Sequence, residues 1–273
     1  MMRLTAMLLT ATTALAADVK PVKDAGPYVP SPQSVVSDML RYADVGPNDF
    51  LIDLGSGDGR IVLTAAKVFG ARGFGVEIKE ELVKLANEAA QKEGVADRVK
   101  FLKQDLFKTD ISQATVVTMY LLPDTVNLLK DKLLTELKPG TRVVSHDYPL
   151  SGWMADNWWQ MDLEEKVKIS GVTTTLIYLY IVPAKVAGKW EARMPPAISK
   201  QPAALTLKQQ ISRVSGSLRL DGRDIPLEDG KMRGEHLSFR LSGHKGEFSG
   251  VVKGNTIDGM VDGKTPWTAT LGG

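Results

Sequence analysis

The chain contains no cysteine. That excludes a disulfide framework, a thiolate metal site and a cysteine nucleophile together. Histidine is almost as scarce: His146, His236 and His244 are the full set. Three are too few and too scattered for a zinc cluster, so no metal site is expected. No apolar run is long enough to span a bilayer as a helix. The stretch 175–182 is short, β-branched and aromatic, and reads as a buried strand. An excess of one charge is also missing. With 34 Lys/Arg against 32 Asp/Glu the net charge is +2, so no whole-molecule field points to nucleic acid or a membrane surface. What is present is ordinary for a folded protein: 273 residues, 43% hydrophobic and 24% charged. Global disorder, collagen and coiled coil are excluded, and the length suits one large domain or a medium one with a small one.

The charge is unevenly placed. From Lys185 onward there are 14 basic and 9 acidic residues, and before it 20 and 23. This divides the chain into an acidic part and a basic part. Residues 1–16 read as a secretory signal: Arg3 gives the positive start, 4–15 is apolar, and Ala14-Leu15-Ala16 is a small-x-small cleavage site before Ala17-Asp18. Without a following cysteine, a lipoprotein anchor is excluded. The expected location is periplasmic or secreted if the signal is cleaved, and cytoplasmic otherwise. The remainder divides into 17–184, a linker at 185–202 marked by Pro195-Pro196, and 203–273.

The middle of the chain alternates strand and helix. The spacing predicts helices over 33–44, 59–69, 80–93 and 124–137, and strands over 50–54, 73–77, 99–102, 115–120 and 141–146. Two further strands, 166–169 and 174–182, are expected to form an antiparallel hairpin through Ser170-Gly171. Repeated strand–helix units imply an α/β fold with a mainly parallel sheet covered on both faces. Ligands of such sheets bind beyond the carboxyl ends of the strands, where the strand order reverses.

The first strand ends Ile52-Asp53-Leu54-Gly55-Ser56-Gly57-Asp58-Gly59-Arg60. Gly55 permits a tight turn, Gly57 a close ligand approach, and Gly59 opens the helix. A dinucleotide loop would read G-x-G-x-x-G, with a pyrophosphate at the helix amino terminus. Here Arg60 stands in place of the last glycine. Asp53 and Asp58 would repel a pyrophosphate but suit a ligand carrying a sulfonium and an ammonium. That favours S-adenosylmethionine over NAD. Asp58 also serves as a helix-start residue, and both roles hold together. Glu77, ending the second strand, suits ribose hydroxyls but does not separate the two cofactors. Asp105 after the third strand suits an adenine amino group, with Leu106 packing on the ring.

These residues resemble class I S-adenosylmethionine-dependent methyltransferases. Residues 28–182 are most similar to small non-SET protein-lysine methyltransferases, the ATP-synthase c-subunit lysine methyltransferase family and its bacterial relatives. The resemblance is carried by Tyr28-Val29-Pro30-Ser31-Pro32, by the run Asp53 through Gly59-Arg60-Ile61-Val62, and by Lys132-Leu133-Leu134-Thr135-Glu136-Leu137-Lys138-Pro139-Gly140. It implies a Rossmann-like seven-stranded methyltransferase sheet. It implies that Tyr28 and Ser31 close over the methionine part of the cofactor, and that Asp53, Gly55, Gly57, Glu77 and Asp105 are cofactor contacts.

The chain departs from the amine methyltransferases that carry Asn/Asp-Pro-Pro-Tyr after the fourth strand; here the segment is Met119-Tyr120-Leu121-Leu122-Pro123. It lacks a group to hold a planar amine, so an sp3 amine such as a protein lysine, or a small amine, is the expected acceptor. No nucleic acid is expected as partner. Candidate catalytic residues are Tyr120 after the fourth strand and His146 and Asp147 after the fifth; His146 reads equally as a strand-end residue satisfied by backbone. Trp153, Trp158 and Trp159 read either as an aromatic loop clasping an alkyl-ammonium or as packing against the second domain.

From 203 the pattern changes to strand-like runs at 205–207, 214–220, 237–241, 247–252 and 256–261, separated by turns such as Asp221-Gly222, Gly254-Asn255 and Asp262-Gly263. A small all-β accessory domain, a half-barrel or sandwich, is expected. Two rivals stand beside the enzyme: an exported nucleotide-binding protein of methyltransferase fold without activity, and an NAD oxidoreductase that the loop disfavours.

Overall fold

The structure is a computed structural model and describes residues 28–272; the leader-like residues 1–16 lie outside that range. An amino-terminal segment leads into α1 (Gln33–Tyr42), whose Val35, Val36, Met39 and Leu40 are buried at helical spacing. The α/β unit follows in order: β1 (Phe50–Leu54), α2 (Arg60–Phe69), β2 (Arg72–Glu77), α3 (Glu80–Lys92), β3 (Val99–Lys103), β4 (Val116–Met119), α4 (Pro123–Glu136), β5 (Arg142–His146), β6 (Asn157–Asp162), α5 (Glu164–Ser170) and β7 (Thr174–Ile181). Pro123 supplies the first residue of α4, where a missing N–H costs nothing.

The sheet order is β3-β2-β1-β4-β5-β7-β6. The strands from β3 to β5 pair in parallel, while β7 runs antiparallel to both β5 and β6. The order reverses between β1 and β4, which opens a crevice at their carboxyl ends. One face of the sheet packs on α1 and α2 through residues such as Met39, Leu51 and Val62. The other packs on α4 through Ile52, Met119, Val126 and Leu133.

Two local readings are corrected. Residues 166–169, expected as a strand, belong to α5. The strand that pairs with β7 is β6, which carries Trp158 and Trp159. Acidic Glu164 and Glu165 in the first turn and Gly171 at the carboxyl end, with φ of 77°, mark α5 as a helix.

The second domain is a closed barrel, not a half-barrel or sandwich. Its strands are β8 (Gly188–Arg193), β9 (Ala203–Gln210), β10 (Arg213–Leu220), β11 (Arg223–Arg233), β12 (His236–Leu241), β13 (Glu247–Lys253), β14 (Thr256–Val261) and β15 (Thr265–Leu271). Residues 185–202, read as linker, contain β8. That strand closes the ring by pairing with β15 on one side and β9 on the other. Trp190, Leu205, Leu218, Phe239, Phe248 and Trp267 fill the interior, with Phe239 stacked on Phe248 at 4.9 Å.

The barrel docks away from the crevice. Ala184 N–H donates to the Gly234 carbonyl at 2.7 Å, and Gly234 abuts Gly140, just before the start of β5. Asp156, before β6, lies 3.5 Å from both Lys231 and Arg233 of β11. These contacts sit at the opposite end of β5 from His146.

Candidate active site

A cavity of about 230 Å³ lies at the carboxyl ends of β1 to β4. Its walls are the amino-terminal segment Tyr28 to Ser31, the glycine loop, Glu77 to Lys79, Gln104 to Phe107, and Tyr120 with Leu121. Ten residues singled out from sequence meet there: Tyr28, Ser31, Asp53, Gly55, Gly57, Asp58, Glu77, Asp105, Leu106 and Tyr120.

The glycine loop is shaped by backbone sterics. Gly55, Gly57 and Gly59 all have positive φ, at 81°, 53° and 83°. Gly55 and Ser56 N–H groups both donate to the Val76 carbonyl at 2.9 Å, which folds the loop over β2. A Cβ on Gly59 would strike Phe101 at 2.6 Å and Ala86 at 2.8 Å, so this glycine lets α2 seat against β3 and α3.

The acids divide into different tasks. Asp53 is buried at 1% exposure and accepts from the Thr118 hydroxyl at 2.7 Å. Burial pushes its carboxyl up to about 7, the Thr118 hydrogen bond opposing. Glu77 accepts three backbone N–H bonds, from Gly57 at 3.1 Å, Ile78 at 2.8 Å and Lys79 at 3.0 Å, and is therefore fixed at the mouth of β2. Asp105 accepts from Phe107 N–H at 2.9 Å, which sets the turn presenting Leu106 and Phe107.

Asp58 is the exception. Its carboxylate is gripped by Arg60, with Nη2 at 2.6 Å and Nε at 3.0 Å. Burial works to raise its pKa, but the Arg60 hydrogen bonds and charge prevail and hold it below the carboxylate range. Asp58 therefore lines the cavity as the paired partner of Arg60, and its Oδ1 also accepts from the Arg60 N–H at the start of α2 at 3.2 Å. Arg60 also donates to the Ser31 carbonyl at 2.7 Å, and so ties the glycine loop to the amino-terminal segment. Sequence reading registered Arg60 only as an absent glycine; its spacing two residues from Asp58 was the available signal. Tyr28 lies over Gly57. Burial and then the neighbouring Asp58 push its phenol up to about 12.

His146 and Asp147 do not line the cavity. His146 is fully buried, and desolvation drives its pKa down to about 4, with Asp147 opposing and Lys166 assisting. So weak a base, set outside the cavity lining, is poorly suited to the role of proton acceptor expected of it. Its Nδ1 lies 2.9 Å from the Ser31 hydroxyl, and its ring lies against Tyr120, centroids 3.9 Å apart and planes tilted by 31°. Asp147 is engaged by Lys166, whose ammonium donates to its two oxygens at 2.7 and 2.6 Å, so it too is not a free base. Lys166 had no sequence signal, because the contact spans 19 residues and two elements. Tyr120 reaches the cavity. Burial and the nearby Asp147 charge raise its phenol well above the ordinary value, so it stays protonated.

The tryptophans are mostly structural. Trp153 is buried against Tyr180 at 5.1 Å, and Trp159 stacks on Tyr42 of α1 at 4.0 Å, within the first domain rather than against the barrel. Trp158 is exposed on β6.

Sheet order, crevice, glycine loop and the acids of β1 to β3 define a class I S-adenosylmethionine-dependent methyltransferase. The residues fit that cofactor: the buried Asp53 suits a cationic group, the backbone-held Glu77 suits hydroxyls, and Gly57 leaves no room for a side chain between the loop and Tyr28. A family model described as the ANTKMT methyltransferase domain matches residues 53–157. A protein-lysine N-methyltransferase of Saccharolobus islandicus is 45% identical over 158 residues, covering 57% of this chain and 93% of that protein. The adenine nucleotide translocase lysine N-methyltransferase of Mus musculus is 38% identical, over 46% of this chain and 55% of its own length, so the chain spans about half of that relative. A solved structure described as an RNA methyltransferase from Salinibacter ruber, in complex with S-adenosyl-L-homocysteine, is 48% identical. It has a TM-score of 0.52 and covers 58% of this chain and 96% of that one. The chain belongs to this protein-lysine N-methyltransferase family.

Proposed function

We propose that the enzyme methylates the ε-amine of a lysine in a protein. The observation that carries this reading is the cavity wall at β4, where Tyr120 and Leu121 stand and no amide or carboxylate from that segment is available to hold a planar amine. The lysine N-methyltransferases of Saccharolobus and mouse support it.

Bound S-adenosylmethionine supplies an electrophilic methyl group on a sulfonium. The chain's own residues order the site across the sheet. Leu106 and Phe107 at β3 offer an apolar seat for a base, Glu77 at β2 faces hydroxyls, and Asp53 at β1 faces the cationic end. The next strand end, that of β4, is then left for the acceptor. A protonated Tyr120 orients the incoming amine without removing its proton, and neither His146 nor Asp147 is placed to act as base. Catalysis on this reading is mainly positioning of a neutral amine.

Labelled methyl transfer from S-adenosylmethionine into a cell extract tests the proposal. Label released by protease and resistant to ribonuclease is expected. Label released by ribonuclease would contradict it and favour the acceptor class named for the Salinibacter protein. We also propose export through residues 1–16. Amino-terminal sequencing of the native protein is expected to begin at Ala17, and a start at Met1 would overturn it.

A further inference from the structure

We propose that Lys166 is a positioning residue for methyl transfer: its ammonium fixes Asp147, Asp147 borders the buried His146, and His146 sets the Tyr120 ring and the Ser31 hydroxyl at the cavity wall. The proposal rests on the methyl-transfer reading of the cavity. Lys166 is not among the residues that line the cavity, so its action is indirect.

Each link is a close approach between named groups. Lys166 is buried at 2% exposure, and its Nζ donates to both Asp147 oxygens and to the Thr174 carbonyl at 2.5 Å. Leu176 N–H adds a bond to Asp147 Oδ1 at 3.1 Å, and the Asp147 N–H donates to the Leu176 carbonyl at 2.7 Å. Asp147 has φ 63°, a left-handed conformation that aspartate tolerates. Asp147 Oδ1 is 3.5 Å from His146 Nε2, a buried ring nitrogen with no hydrogen-bond partner among the described residues. On the other side of the ring, Nδ1 is hydrogen-bonded to the Ser31 hydroxyl at 2.9 Å. The ring face lies 3.9 Å from the centre of Tyr120. Removing the cation would leave the half-buried Asp147 carboxylate without its ion pair beside an imidazole, and both would rearrange.

The helix that carries Lys166 is itself tied to the cavity wall. Glu165 accepts from the Ser34 hydroxyl at 2.8 Å, and Ser34 stands at the start of α1, three residues after Ser31. The path from Ser31 through His146, Asp147, Lys166 and α5 thus returns to the segment that roofs the cofactor.

The full chain with Lys166→Met is compared with Lys166→Arg, Tyr120→Phe and the Tyr120→Phe/Lys166→Met double variant. Expected for Lys166→Met is a kcat lower by about tenfold to a hundredfold, with S-adenosylhomocysteine affinity changed by less than about threefold. Lys166→Arg is expected to recover much of the loss. In the Tyr120→Phe background the further effect of Lys166→Met should nearly vanish, since both changes break one pathway. Histidine NMR gives a readout that needs no turnover. The His146 signal should not titrate near neutral pH in the unaltered protein, and should move upward in Lys166→Met as the carboxylate loses its partner. Should Lys166→Met not fold, Asp147→Asn replaces it with the same expected kcat loss. Unchanged kcat with only a lower Tm, or losses that multiply in the double variant, would overturn the proposal. Absence of turnover in the unaltered protein would instead count against the methyl-transfer reading, while the imidazole titration still reports on the Lys166 link.

Discussion

The ring of Tyr28 lies so close to Gly57 that a Cβ added to the glycine would sit 2.4 Å from the ring's Cε2 atom. A glycine that strand–loop–helix context reserves for ligand approach is therefore also the floor on which the amino-terminal segment rests. Both features come from one missing side chain.

Gly57→Ala tests that arrangement. With φ at 53°, alanine incurs about 1–2 kcal/mol of backbone strain, and the methyl group displaces the Tyr28 ring. Calorimetry with S-adenosylhomocysteine is expected to show affinity at least about tenfold weaker. Unchanged affinity would mean that Tyr28 and the loop do not jointly hold the cofactor.

Asp53 makes cofactor binding proton-linked. Its carboxyl is pushed up to about 7, so below that pH the ligand-free protein holds a proton there. A cationic ligand group lowers the pKa again and expels that proton. Affinity is expected to rise with pH up to about 7 and then level. Calorimetry in buffers of different ionisation enthalpy should detect proton release at pH 6. Asp53→Asn should abolish the linkage; persistence of the release would assign it to another group.

His146 carries a stability signature of the opposite sense to an ordinary paired histidine. Its folded pKa of about 4 lies below the unfolded 6.5, so the unfolded state binds more protons in that window. Stability is therefore lost as pH falls from 6.5 toward 4, by up to about 3 kcal/mol. Denaturant unfolding at several pH values should show this slope in the unaltered protein and lose it in His146→Gln. Parallel curves would show that His146 titrates normally.

Asp156 joins the domains but not the site. Its side chain is 2% exposed and faces Lys231 and Arg233, while Oδ2 accepts from Ile181 N–H at 2.8 Å. Asp156→Asn is expected to cost about 1–2 kcal/mol of stability and to leave S-adenosylhomocysteine affinity unchanged. A large affinity loss would show that the barrel's docking reaches the crevice. The Saccharolobus relative is matched over 93% of its length by part of this chain, which leaves it no room for such a barrel.

Legibility followed the range of the contacts. The strands β1 to β5, the glycine loop and the acids of β1 to β3 were readable because short-range pattern fixes them: apolar strands, punctuating glycines, and an acid at each strand end. The barrel's closure was not readable. It depends on β8 meeting β15 some 80 residues later in the chain, and on β11, whose Pro226 and exposed acids hide a strand. Around the candidate site, chemistry by residue type misled. His146 and Asp147 look like an acid–base pair in sequence, but burial silences one and Lys166 occupies the other. Arg60, read as a missing glycine, is the cation that pairs with Asp58 at the cavity wall.

The most direct test of lysine methylation is amino-acid analysis of the labelled acceptor. Protein labelled from S-adenosylmethionine by the full chain is hydrolysed, and the labelled amino acids are separated. Label in N-methylated lysines, reduced when Gly57→Ala replaces the unaltered enzyme, is the expected result. Label in any other amino acid, or none in protein at all, would contradict it.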